Sequence, residues 1–170
     1  LTKKIMPRSS CNSFSFLPSD AAEIITICSN LKNKKSAGHD GVIARVVKCA
    51  ITSIVNPLCA IINCSFDTGV VPDDIKVAKI VPVYKTGPKD IFSNYRPISI
   101  LPFFSKLFEK LVYDRLLAFL NKHDVLSPNQ YGFRKGCSTY MAIIDMCDKI
   151  SESIDNGACS AGIFIDLSKA

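Results

Sequence analysis

The run from Lys79 to Tyr84 alternates like a β-strand but carries a proline at position 82. Because proline cannot donate to a strand ladder, this run is predicted to be an edge strand or to contain a bulge. Lys85 follows it directly, and beyond a Gly-Pro turn Arg96 stands between an aromatic residue and a proline. The sequence therefore predicts two cations on short, rigid supports, an arrangement suited to holding an anion.

Positive charge is concentrated around these residues. Residues 76–135 carry 11 basic and 4 acidic side chains, a sum of +7, whereas residues 1–75 sum to +2 and residues 136–170 to −3. A concentrated positive field favours a polyanion such as nucleic acid or a nucleoside triphosphate. A solvated, lysine-rich surface explains the same charge and stays open as the alternative.

Composition predicts one globular domain with a core. The chain has 170 residues, of which 48% are apolar and 21% charged, which argues against disorder. Eight cysteines occur without a Cys-x-x-Cys pair, so free thiols in a reducing compartment fit better than disulfides or a zinc site. The uncharged stretch 49–66 is interrupted by Asn56 and Pro57, which predicts two soluble helices and no membrane span. With no secretory leader visible, we expect an intracellular protein.

Helical patterns flank the basic region. Asp20, followed by Glu23, predicts the start of a helix that buries Ile24, Ile27, Cys28 and Leu31. A broad apolar stripe runs through residues 104–120, and Ser138 or Thr139 begins a last helix with a predicted core face of Ile143, Cys147, Ile150 and Ile154. Together with the strand, these helices predict an α+β fold.

Two further segments carry chemistry. The loop 123–137 combines Gln130, Gly132, Phe133 and Arg134, a mixture that suits base stacking and phosphate contact, although exposed loops are polar for many other reasons. Asp166 follows the apolar run 163–165, which we predict to be a strand. A carboxylate there is costly to bury unless it binds a cation or a hydrogen-bond partner. As the alternative, Asp166 simply caps the next turn.

Several blocks, in this order, resemble the reverse transcriptase of non-LTR retrotransposons (LINE-type, jockey-like elements). They are Ser36–Gly41, Lys79–Lys85, Asn94–Leu101, Lys106–Lys110, Gln130–Arg134 with Ser138 and Thr139, and Phe164–Ala170. In the first block the family usually has Ser-Pro-Gly-Pro-Asp-Gly, and Ala37 and His39 depart from its two prolines. A group II intron-type maturase is a near neighbour with the same chemistry.

The resemblance implies part of a right-hand polymerase: an upstream tether and helix in residues 1–31, a helical segment in 32–77, and the fingers and first palm strand in 78–170. Lys85 and Arg96 are then expected to neutralise the triphosphate of the incoming deoxynucleotide. Gln130, Gly132, Phe133 and Arg134 are expected to lie along the template. The implied partners are an RNA template, a DNA primer and deoxynucleoside triphosphates, with no membrane.

The resemblance also makes Asp166 the first catalytic aspartate of the palm. It is expected to bind two Mg²⁺ ions, helped by the backbone carbonyl of Leu167. The family's later palm carboxylates and its thumb are not in this sequence, so we read the chain as an excerpt that is inactive in a primer-extension assay. A decayed remnant, an RNA-binding module and a purely structural helical protein remain alternatives.

Overall fold

A computed structural model describes residues 13–33 and 36–166, which form two compact units that divide after His123. The fold is α+β. The first unit contains α1 (Ala21–Asn30), α2 (Ala44–Thr68), β1 (Lys79–Tyr84), β2 (Tyr95–Ile100) and α3 (Phe103–Lys122), with short 3₁₀ turns at Asp73–Lys76 and Phe92–Asn94. The second unit contains α4 (Thr139–Asp155). The domain boundaries proposed at residues 31 and 77 stay predictions.

Helix α1 begins where the sequence predicted. The backbone N–H of Glu23 donates to the Asp20 carboxylate at 2.8 Å, which satisfies an otherwise unpaired amide of the first turn. At the other end, the Lys48 ammonium of α2 donates to the carbonyls of Ser29, at 2.8 Å, and Leu31. A cation at a helix C-terminus also complements the helix dipole, so Lys48 ties α1 to α2.

Helix α2 is continuous, so the prediction of two helices separated at Pro57 is wrong. Pro57 lies inside the helix on its exposed side. Its cost, about 3 kcal/mol for a lost hydrogen bond and a steric clash, is offset by a stripe of buried residues that continues past it: Val47, Ile51, Val55, Leu58 and Ile62. By length and composition α2 could also cross a membrane, a test that core helices of soluble proteins pass as well.

The core of the first unit lies where α1, α2 and α3 meet. Helix α3 contributes its N-terminal half, and its later predicted stripe positions are only partly buried or exposed. The fully buried residues, each 0% exposed, include Ile24, Cys28, Ile62, Leu107 and Leu111. This three-helix core is the base from which the two strands project.

Strands β1 and β2 form an antiparallel hairpin in which Pro82 faces Pro97. The backbone N–H of Lys85 donates to the carbonyl of Asn94 at 2.8 Å. Since hydrogen-bonded and non-hydrogen-bonded pairs alternate, the two prolines form a non-hydrogen-bonded pair and remove no ladder bond. The predicted edge position of Pro82 is confirmed, whereas the pairing partner β2 was not predicted.

In the second unit α4 begins at the predicted cap, since the Ser138 hydroxyl accepts from the Met141 N–H at 3.3 Å. Its predicted core face is not buried: Ile143 is 53% exposed and Ile154 is 66% exposed. That prediction is wrong for this structure, because no other element of the described part of this unit packs over the face.

The strand predicted before Asp166 is also absent from the described residues. Residues 158–166 are irregular, and the side chains of Ile163, Phe164 and Ile165 are 86–88% exposed. A strand exists only through hydrogen bonds to a neighbouring strand, and none pairs with this segment in the described part of the second unit.

Candidate nucleotide and nucleic-acid site

The two predicted anion-binding cations lie on the same face of the hairpin. Lys85 is paired with Asn94, and Arg96 is paired with Val83. Paired residues share a face, and successive pairs alternate between faces, so Lys85 and Arg96 are diagonal neighbours about 7 Å apart in such a ladder. Both side chains are exposed, and neither makes a hydrogen bond or ion pair with another described residue. Both charges are therefore available to an anion from outside.

The loop between the strands is held by three side chains at the strand ends. The Tyr84 hydroxyl, the Asn94 amide and the Tyr95 hydroxyl donate, in that order, to the carbonyl oxygens of residues 87, 88 and 89. The last two distances are 2.7 and 2.8 Å. The two tyrosine rings also meet edge to face, with centroids 5.7 Å apart. These contacts hold the loop beside Lys85 and Arg96, and the sequence analysis missed them; the predicted rigidity of the support stays a prediction.

Gly87 is required by this loop. Its φ is +90°, and a Cβ atom added there would lie 2.6 Å from the Asn94 side-chain nitrogen. Any other residue is disfavoured both by backbone conformation and by lack of space. The Gly-Pro pair in the sequence had predicted a turn at this place.

In the second unit, Phe133 is the most prominent of the predicted template-binding residues. Its side chain is fully exposed, and its φ is +60°. A bulky L-residue in the left-handed region is uncommon and strained by roughly 1–2 kcal/mol. The loop thereby presents an aromatic ring to solvent at a conformational cost.

Gln130 and Arg134 instead point back into their own loop. Arg134 donates to the Ser127 carbonyl at 2.8 Å, and the Gln130 amide donates to the Gly132 carbonyl at 3.3 Å. Arg134 is half-buried and has further N–H groups besides the one used here. In this structure the two side chains shape the loop, and their contact with a template stays a prediction.

Tyr131 connects the same loop to α4. Desolvation and then its hydrogen bond with the Asp145 carboxylate raise the pKa of the Tyr131 hydroxyl. Lys149 lies 2.6 Å from that carboxylate, and the resulting hydrogen bond lowers the pKa of Asp145. Sequence reasoning missed this anchor, although Asp145 and Lys149 stand at the four-residue spacing typical of helical ion pairs.

The predicted metal ligands do not form a metal site in the described residues. Asp166 is exposed, and Leu167 lies outside the described residues. Within 13–33 and 36–166, no three His, Cys, Asp or Glu side chains come together. One carboxylate cannot hold two Mg²⁺ ions, so these residues do not fit the implied group by themselves.

Comparison with known proteins supplies the family. A family model described as reverse transcriptase (RNA-dependent DNA polymerase) matches residues 83–170, more than half of the chain. The chain belongs to the reverse transcriptase family. The part that matches the reverse transcriptase model includes Lys85, Arg96, the loop around Phe133 and Asp166.

Three relatives from Drosophila melanogaster cover most of the chain. It is 31% identical, over 90% of its length, to the probable RNA-directed DNA polymerase from transposon BS. The chain is 30% identical, over 87% of its length, to the RNA-directed DNA polymerase from mobile element jockey. It is 28% identical, over 91% of its length, to the probable RNA-directed DNA polymerase from transposon X-element. The predicted resemblance to retrotransposon reverse transcriptases is confirmed. The chain spans only about one sixth of these relatives, 16–17% of their length.

Proposed function

We propose that this chain is part of an RNA-directed DNA polymerase that copies retrotransposon RNA into DNA inside the cell. It contributes fingers and the beginning of the palm in a right-hand architecture. The observation that carries the proposal is the placement of Lys85 and Arg96 on one face of a clamped hairpin, within a chain of the reverse transcriptase family.

In this proposal the hairpin binds the triphosphate of an incoming deoxynucleotide. The planar guanidinium of Arg96 suits two parallel hydrogen bonds to phosphate oxygens, and Lys85 supplies a compact, mobile charge. Because the hairpin loop is already held by three hydrogen bonds, little conformational entropy is lost when the phosphate binds.

The loop of the second unit is proposed to contact the RNA template paired with a DNA primer. Phe133 offers a ring for base stacking, and Arg134 retains donors for a phosphate. Asp166 is proposed as one carboxylate of a magnesium site. The described residues hold no group of three possible metal ligands, so we assign no chemical step to this chain by itself.

Nucleotide binding by the 170-residue chain tests the hairpin. We expect Arg96→Ala and Lys85→Ala each to weaken binding of a fluorescent deoxynucleoside triphosphate about tenfold, the value of one charge-assisted hydrogen bond. Arg45, an exposed arginine of α2, gives the matched control: Arg45→Ala removes the same charge outside the hairpin and should change the affinity less than twofold. Equal losses in Arg96→Ala and Arg45→Ala would contradict a specific phosphate site.

An RNA-binding module without catalysis is the second candidate. It is favoured by the fully exposed ring of Phe133, which is free to stack on a base. Binding to single-stranded RNA that weakens with salt, combined with no measurable affinity for deoxynucleotides, would favour this candidate over the polymerase.

A further inference from the structure

The hairpin is attached to the rest of its unit through its two ends. None of residues 79–100 is buried, so neither face of the hairpin is packed into the core. Its direction relative to the helices must therefore be fixed where the chain enters at residues 75–78 and leaves at residues 101–102. We call these two segments the feet of the hairpin.

The loop of residues 36–41 contacts both feet, and α3 also contacts the first foot. The ring nitrogen Nδ1 of His39 lies 3.0 Å from the Val77 carbonyl oxygen in the first foot. Gly38 is buried against the second foot, so closely that an added Cβ atom would lie 2.7 Å from the Pro102 nitrogen. The Ser105 hydroxyl of α3 donates to the Ile75 carbonyl. One short loop thus touches both ends of the hairpin.

The loop has a defined conformation of its own. The Asp40 carboxylate accepts from the Val42 N–H at 3.1 Å, and Gly41 has a φ of +69° that glycine adopts without strain. The Gly41 N–H points to the Gly38 carbonyl at 3.4 Å. These contacts form a turn that fixes the adjacent His39 in position, so its ring meets the first foot without a large loss of side-chain freedom.

We propose that His39 is a positioning residue that sets the direction of the nucleotide-binding hairpin, a role that rests on the function proposed above for Lys85 and Arg96. The His39 ring donates from Nδ1 to the Val77 carbonyl, while Gly38 lets the same loop close on Pro102. The family pattern usually has proline where His39 stands, and proline has no side-chain donor. The contact with Val77 therefore distinguishes this chain from that pattern.

The position of the hairpin can be read in solution from residual dipolar couplings of its amides, fitted with the alignment tensor of α1, α2 and α3. The wild-type hairpin should fit that tensor. His39→Ala should reduce the fit, because a hydrogen bond of this kind shifts a local equilibrium roughly fivefold. His39→Asn, whose amide places a donor near the position of Nδ1, should restore it. Thermal unfolding of the helices should be the same in all three proteins.

Nucleotide affinity separates this inference from the proposed function. His39→Ala should weaken triphosphate binding roughly fivefold, His39→Asn should recover it, and Arg96→Ala should weaken binding without changing the dipolar couplings. Unchanged couplings in His39→Ala would overturn the positioning role. The same holds if His39→Ala changes the couplings but binds the triphosphate as tightly as wild type, while Arg96→Ala binds it more weakly. If the wild-type chain binds no nucleotide, the proposed function fails, together with the nucleotide-positioning role that rests on it.

Discussion

The Arg115 guanidinium of α3 donates two parallel hydrogen bonds to the Glu23 carboxylate of α1, each 2.9 Å long. The same guanidinium donates to the carbonyls of Leu17 and Pro18 and to the Ser19 hydroxyl, at 2.7, 3.1 and 3.0 Å. The Arg115 side chain is only 11% exposed. One residue therefore joins α3, α1 and the segment before α1.

Arg115→Ala should lower the free energy of unfolding of the first unit by about 2–4 kcal/mol, because it leaves a half-buried carboxylate and several acceptors without their partner. Urea denaturation measures the change. Lys110→Ala is the matched control, since Lys110 pairs with Asp114 at 2.6 Å on an exposed part of the same helix. Its effect should be within about 0.5 kcal/mol, and similar losses in both variants would contradict the role given to Arg115.

Features with local causes could be predicted from the sequence, and features with long-range causes could not. The Asp20 and Ser138 caps depend on neighbouring residues, and both are confirmed. The edge position of Pro82 is confirmed too, because a proline lacks the N–H that a central strand needs, whatever the rest of the chain does. The continuity of α2 through Pro57 depends on packing against other helices. The shared face of Lys85 and Arg96 depends on a register with β2, which no spacing within β1 reveals.

Gly87→Ala should destabilise the hairpin more than Gly69→Ala. Both glycines have a positive φ, but an added Cβ has open space at Gly69 and meets the Asn94 side chain at Gly87. We expect about 1 kcal/mol for the backbone alone at Gly69 and roughly 2 kcal/mol or more at Gly87, where the Asn94 clamp is also lost. Hydrogen exchange of the Lys85 amide, which is bonded to Asn94, reports opening of the hairpin, and exchange of the residue 69 amide, which is bonded to Ser65, reports fraying of the end of α2. Equal effects would mean that the clamp contributes nothing.

Replacing both Pro82 and Pro97 by valine should make the chain self-associate. In their non-hydrogen-bonded pair, the missing N–H groups would point away from the partner strand, one on each open edge of the hairpin. Proline on an edge strand prevents pairing with another chain. Valine restores the missing N–H on both edges, so each edge can then pair with a strand of another chain. Sedimentation velocity should show oligomers of the double variant at concentrations where wild type is monomeric. Pro88→Val in the loop is the control that leaves both edges unchanged.

Acid should break the ion pair between Asp145 and Lys149 of α4. The hydrogen bond from Lys149 lowers the pKa of Asp145. A carboxyl whose pKa is depressed by folding stabilises the fold above its unfolded value, about 3.9, and this contribution is lost as the pH falls through the folded pKa. Carboxyl carbon NMR should give a titration midpoint for Asp145 below 3.9, and Lys149→Met should raise it. A midpoint that Lys149→Met leaves unchanged would contradict the ion pair.

Phe133 should show opposite effects on stability and on RNA binding. Phe133→Gly removes the strain of a left-handed L-residue, whereas Phe133→Ala keeps it, so the glycine variant should be the more stable by about 1 kcal/mol in hydrogen exchange of the second unit. Both variants lose the exposed ring. Each should therefore bind single-stranded RNA more weakly by about 1–3 kcal/mol, the value of one stacked base, while Phe133→Trp retains the affinity. If both variants bind RNA like wild type, Phe133 has no stacking role, and the strain at this position needs another explanation.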